Sequence, residues 1–192
     1  MEAKLMEQIE SPPKIGTITG EELLAMGDIG SCELIDGRIV FMSPAGDEHG
    51  VIESNLAFEL KQFARQHKRG RVMTGEVGIY IRRNPDRVRG ADVILVSYDK
   101  LPKPTGRFLE VAPELVVEIM SPHDRWEEVR EKIRDYFSIG IEQVWIVEPG
   151  NRKLLVYHSN TDLQEFGEGD SVEGKGILAG FRLNIDTLFM AE

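Results

Sequence analysis

Two short runs of Val, Ile and Leu, RGADVILVS and PELVVEIMS, limit the architecture of this 192-residue chain more than any other segment. Strands of this composition are covered on both faces, so layers must lie above and below the sheet that holds them. Each run nevertheless carries one carboxylate, Asp92 in the first and Glu118 in the second. A charge on a buried strand is costly unless it is paired or binds a metal. Side chains alternate along a strand, so Glu118 shares a face with Val116 and Met120. Asp92 stands at the start of its run, where a solvated sheet edge is expected.

The flanking segments supply the layers. CELIDGRIVFMSP reads as a hairpin, two alternating runs around the turn dipeptide Asp36-Gly37. From about Glu48 to His67 an apolar stripe at Ile52, Leu56, Leu60 and Phe63 predicts a helix that Gly70 ends. RVMTGEVGIYIR reads as a strand, followed by the turn NPDRVRG. DRWEEVREKIRDYFSIG predicts the strongest helix, with Asp124 at its start, Gly140 at its end, and one face of Trp126, Val129, Ile133, Tyr136 and Phe137. IEQVWIVEP and KLLVYHS add two strands, and GILAGFRLNIDTLF a short strand and a terminal turn. Thr19 with Glu21 and Glu22 starts a short helix before the hairpin. The expectation is a mixed α/β sheet with helices on both faces, one domain over residues 17–192 behind a flexible polar tail over 1–16.

Composition narrows the function. A single cysteine, Cys32, excludes an internal disulfide and a Cys-rich zinc site, fits a reducing cytoplasm, and reads as a core residue. No apolar stretch reaches the length of a membrane span. The net charge of −10 argues against broad, non-specific binding to nucleic acid. Lys61, Arg65, Lys68, Arg69 and Arg71 form a local basic cluster, as do Arg82, Arg83, Arg87 and Arg89. A solvated helix end and a charged hairpin turn are the ordinary readings of these two. GEGDSVEGKG is glycine-rich but lacks the Lys-Ser/Thr ending of a phosphate loop.

Two carboxylates brought together repel, and a bound Mg²⁺ or Mn²⁺ relieves the repulsion because hard cations take carboxylate oxygen. Lys132 lies beside the apolar arc of its helix, from which its long side chain can reach a strand end. An ordinary pairing with Glu128, four residues earlier, competes with that role. His49 opens the first long helix and reads as a capping or surface residue that could also touch the metal or substrate. Glu53, one turn on, is a possible third acid. His67, His123 and His158 lack zinc-ligand spacing.

In order along the chain, ELIDGRIVFMSP, EHGVIESNL, GADVILVS, PELVVEIMSP, EKIRDYFSIGIEQVWIVEP and LLVYH resemble the Uma2 family of the PD-(D/E)XK restriction-endonuclease-like superfamily. The resemblance spans roughly residues 17 to 190. It implies a restriction-endonuclease-like core with an N-terminal β-hairpin extension, and a Mg²⁺-dependent (or Mn²⁺-dependent) endonuclease that hydrolyses phosphodiester bonds. Asp92 and Glu118 match the two metal-binding acids of its motif. The motif's lysine, two residues after the second acid, is Met120 here, and the resemblance assigns its role to Lys132 on the following helix. Ala91 stands where proline often precedes the first acid. The resemblance also implies a nucleic-acid substrate, with DNA foremost, and a homodimer that cuts both strands. A non-catalytic nucleic-acid- or protein-binding scaffold and a hydrolase of a small phosphorylated substrate are the alternatives.

Overall fold

The computed structural model describes residues 17–191, so the tail expected over 1–16 lies outside the described residues. Helix α1 (Gly20–Ala25) opens on a capping box. The Thr19 hydroxyl accepts from the Glu22 amide at 3.2 Å, and Glu22 Oε2 accepts from the Thr19 amide at 2.7 Å. The hairpin of β1 (Cys32–Ile35) and β2 (Arg38–Phe41) turns at Asp36-Gly37. Both turn residues have positive φ, 53° and 76°, which the twist of a two-residue hairpin loop favours.

Helix α2 (Asp47–Gln66) leads to β3 (Gly70–Arg82), β4 (Arg87–Ser97) and β5 (Leu115–Ile119). Helix α3 (Trp126–Ser138) leads to β6 (Gln143–Glu148), β7 (Lys153–Tyr157) and β8 (Leu163–Phe166). These strands form one eight-stranded sheet, antiparallel except for the β5–β6 pair. β9 (Ser171–Glu173), within the glycine-rich segment, pairs with β10 (Arg182–Asn184) in a separate ribbon. A 3₁₀ turn, Ile185–Phe189, follows.

Alternation sorts the central strands between two layers. Val93, Leu95, Leu115, Val117, Trp145 and Val147 pack with Ile52, Leu56 and Leu60 of α2. The intervening Ile94, Val96, Val116, Val144 and Ile146 pack with Val129, Ile133 and Tyr136 of α3. Glu118 therefore belongs to the α3 face. A third, smaller cluster of Leu23, Leu34 and Val88 seats the hairpin, with Cys32 half-buried against it.

The structure departs from the sequence reading at two element ends. Arg87, Arg89 and Gly90, expected in a turn, already pair with Arg82, Ile79 and Gly78 of β3. Asp92 is thus inside β4 and only 9% exposed, not at a solvated edge. The early part of the strand is polar because its arginines are neutralised from other elements, and no local pattern shows that. At α3 the N-cap is Arg125, one residue later than expected, and Asp124 instead accepts from the Ser121 amide at 2.8 Å. Gly140 follows the helix at φ 87°, as its C-terminal position requires. Among the described residues no helix is long and apolar enough to cross a membrane.

Candidate active site

One edge of β4 is paired to β3 almost throughout. The opposite edge is shared: β1 takes Val88, and β5 takes Val93 to Leu95. Between those contacts the two strands part, and among the described residues Arg89 to Asp92 have no strand partner on that side. Buried backbone groups need partners wherever a ladder stops, and side chains provide them here. Glu33 Oε1, from β1, accepts from the Gly90 amide at 3.2 Å. The Tyr136 hydroxyl, from α3, reaches the Gly90 carbonyl at 3.4 Å. Asp92 Oδ2 accepts from the Ile119 amide of β5 at 2.7 Å.

That last bond ties the two sequence-predicted acids together, because Ile119 adjoins Glu118. Glu118 is 8% exposed. Its Oε2 accepts from Lys132 Nζ at 2.9 Å, and its Oε1 accepts from the Tyr136 hydroxyl. Lys132 also lies 3.2 Å from Glu33 Oε1. The pairing expected within the helix, Lys132 with Glu128, gives way to these two carboxylates from the sheet. They are buried, so they attract the ammonium through less water than an exposed helix neighbour does.

His49 and Glu53 approach the same place from α2. His49 Nε2 lies 3.3 Å from Asp92 Oδ2, with a side chain 12% exposed, so it neither caps the helix nor sits on the surface. Among the described residues its Nδ1 is buried without a hydrogen-bond partner, and Glu53 Oε2 is 3.9 Å from it. Glu53 Oε1 accepts from the Gly75 amide at 3.2 Å, where the β3–β4 register shifts between Thr74 and Val77. That irregularity turns an amide out of the ladder and towards α2.

The electrostatics follow from this crowding. Burial pushes the Glu118 carboxyl up to about 7, Lys132 opposes the shift, and Asp92 adds to it. Burial works against the charge on Lys132, but Glu118 and Glu33 outweigh it and raise the ammonium's pKa. Contact with Asp92 raises His49 despite its burial. Glu53 is raised by burial and by Asp92, against the Gly75 amide. Burial and Glu118 hold the Tyr136 hydroxyl well above its usual range, so it stays a donor.

Behind Lys132 lies a second set of charges. Arg89 Nη1 meets Glu33 at 2.7 Å, and Arg89 Nη2 meets Asp135 at 2.7 Å. Arg87 meets Asp135 at 2.9 Å and Glu131 at 3.0 Å. These two arginines are therefore structural, not part of an open basic surface. Sequence reasoning passed over Glu33, Arg89 and Tyr136. Tyr136 was visible only as part of the apolar face of α3, where a tyrosine in place of phenylalanine was the one hint of a polar partner. Glu33 had the hairpin's alternation around it and no sign of burial.

A mixed sheet between two helices, with acids converging where its strands part, agrees with the fold that the sequence resemblance implies. The chain belongs to the Uma2 family, described as "Putative restriction endonuclease", whose match covers residues 21–186. Among solved structures, "a putative nuclease belonging to DUF820 from Anabaena variabilis ATCC 29413" superposes with a TM-score of 0.75 at 20% identity. The match covers 90% of this chain and 97% of that one, and at this identity the likeness speaks for the fold. No curated protein matches the chain.

Proposed function

We propose that this chain is a Mg²⁺- or Mn²⁺-dependent endonuclease that hydrolyses phosphodiester bonds of nucleic acid, DNA foremost, acting in the cytoplasm as a homodimer of single-domain subunits. The observation that carries the reading is the convergence of Asp92, Glu118 and Lys132 where β4 and β5 separate.

The donor set suits a hard divalent cation. Asp92 and Glu118 offer carboxylate oxygens, and burial, which Lys132 only partly offsets, raises the Glu118 carboxyl, so a bound cation would favour its ionised form. The unpartnered Nδ1 of His49 is a further polar atom left over at the same place. Among the described residues no three His, Cys, Asp or Glu side chains form a ready cage. Mg²⁺ commonly takes one or two carboxylates and completes its shell with water and substrate phosphate. When bound, such a cation lowers the pKa of a water and offsets charge on the phosphate.

The chain's own groups do the positioning. The Ile119 amide fixes Asp92, and Tyr136 fixes Glu118. Lys132, held charged by Glu118 and Glu33, places a cation where negative charge develops on a phosphate. His49 and Glu53 support Asp92 from α2.

Cleavage of single- and double-stranded DNA, titrated with Mg²⁺ and Mn²⁺, tests this. Asp92→Asn and Glu118→Gln are expected to abolish cleavage, and Lys132→Ala to reduce it about 100-fold or more. Cleavage that survives all three substitutions overturns the site. Absence of any calorimetric signal for either metal overturns the metal-dependent reading.

A further inference from the structure

We propose that the groove between α2 and β3, beside the acid cluster, holds an unpaired single-stranded segment of nucleic acid, with Phe58 stacked on a base and Lys61 on a phosphate. This deepens the nuclease reading and rests on its nucleic-acid substrate.

The groove is open, about 440 Å³ in volume, and lined by Glu53, Ala57, Phe58, Lys61, Val72 and Thr74 among others. That size is within the range of small-ligand and base-sized sites. Glu53 ties one end to the acid cluster through His49. The groove therefore continues the candidate active site along α2.

Helix geometry orders the wall. Ile52, Leu56, Leu60 and Phe63 fill the core-facing arc of α2. Glu53, Ala57 and Lys61 flank that arc, while Ser54, Phe58 and Arg65 lie further round, on the solvent side of the helix. Small residues thus leave room near the acids, an aromatic ring stands in the middle, and cations follow. Glu53 to Lys61 spans roughly 12 Å at about 1.5 Å per residue.

Phe58 is 64% exposed, although its neighbours on the helix bury their apolar side chains. A flat apolar ring beside free cations matches a nucleotide, which has an apolar face on its base and an anion on its backbone. Among the described residues Lys61 and Arg65 make no ion pair or side-chain hydrogen bond, while Arg82, Arg83, Arg87 and Arg89 are all paired with acids. In a chain with a net charge of −10, these cations are available to an outside anion. A base stacked within a duplex offers no free face to Phe58, so the occupant is an unpaired strand.

Fluorescence anisotropy with a labelled single-stranded oligonucleotide, with Ca²⁺ in place of Mg²⁺, reads binding apart from cleavage. Phe58→Ala is expected to weaken binding about tenfold. Phe58→Leu, which keeps apolar bulk but no ring face, should fall on the same side. Lys61→Ala should reduce the salt slope of binding by about 0.7, the share of one phosphate contact on a single strand. An oligonucleotide with abasic sites should erase the Phe58 effect, and a duplex should not show it. Both side chains are exposed, so melting temperatures should be unchanged.

Binding by Phe58→Ala within twofold of wild type overturns the proposal. Equal Phe58 dependence on duplex and single strand overturns it too, as does an abasic strand that remains sensitive to Phe58. A wild type that binds no oligonucleotide also overturns it. If Asp92→Asn abolishes cleavage while Phe58→Ala binds normally, this inference fails and the nuclease reading stands. If the wild type never cleaves but binds single strands through Phe58, the reverse holds.

Discussion

Arg89 and Glu118 are both charged, both nearly buried, and both on the edges of the same opening in the sheet, yet their surroundings act on them in opposite ways. Burial opposes the charge on Arg89, but Glu33 and Asp135 more than compensate, and its charged form is strongly favoured. At Glu118 burial prevails over Lys132, and the carboxyl is pushed up to about 7. A charge paired with two acids holds the hairpin and α3 to β4. At Glu118 the charged form is the disfavoured one, because burial outweighs its partner. Charge at a functional site is often left unbalanced, whereas a structural ion pair has no such reason.

The sharpest way to break this contrast is through stability. Arg89→Ala removes a buried cation shared by Glu33 and Asp135, which keep Lys132 and Arg87 as cationic partners, and a buried pair broken on one side typically costs about 3–5 kcal/mol. Glu118→Gln keeps acceptor and donor for Lys132 and Tyr136 while removing the disfavoured charge. Denaturant unfolding of the metal-free protein should show a large loss for the first and a loss under about 1 kcal/mol, or a gain, for the second. Equal losses would mean that the two regions are alike.

Glu33 belongs to both regions, since it meets Arg89 at 2.7 Å and Lys132 at 3.2 Å. Glu33→Gln should lower the pKa of Lys132, followed by NMR of its ε-carbon, and reduce cleavage about tenfold. A stability change with the Lys132 titration left in place would confine Glu33 to the structural network.

A further effect is a slope with pH. Glu118 titrates near 4.5 when unfolded and at about 7 when folded. Between those values the folded chain binds the extra proton. Its contribution to stability is complete below 4.5 and lost as pH rises through about 7. His49, raised above 6.5, acts in the same direction, its contribution lost at higher pH. Melting temperatures of metal-free protein should therefore fall over this interval, and Glu118→Gln should flatten the fall. An unchanged slope in that variant would show that Glu118 is matched in the way Arg89 is.

Much of the fold was legible because its signals are local. The Asp36-Gly37 turn, the stripe of Ile52, Leu56, Leu60 and Phe63, and the apolar runs around Ile94 and Val117 each follow from the period of one element. The same alternation put Glu118 on a buried face. Asp92 was misplaced within its strand because the preceding arginines looked like a turn, and only acids from β1 and α3 make them strand residues. Lys132 was assigned to the site by family resemblance. Helix spacing alone favoured an ordinary pairing with Glu128.

The sequence by itself determined which segments would be strands and helices, and that two buried strands each carried an acid, since both depend on neighbours a few residues apart. Only the tertiary structure decided that β1 and β5 part along one edge of β4, so that Glu33, Asp92, Glu118, Lys132 and His49 meet in the gap. Which charges end up paired depends on strand register and on helices returning from far along the chain, and no local pattern encodes that.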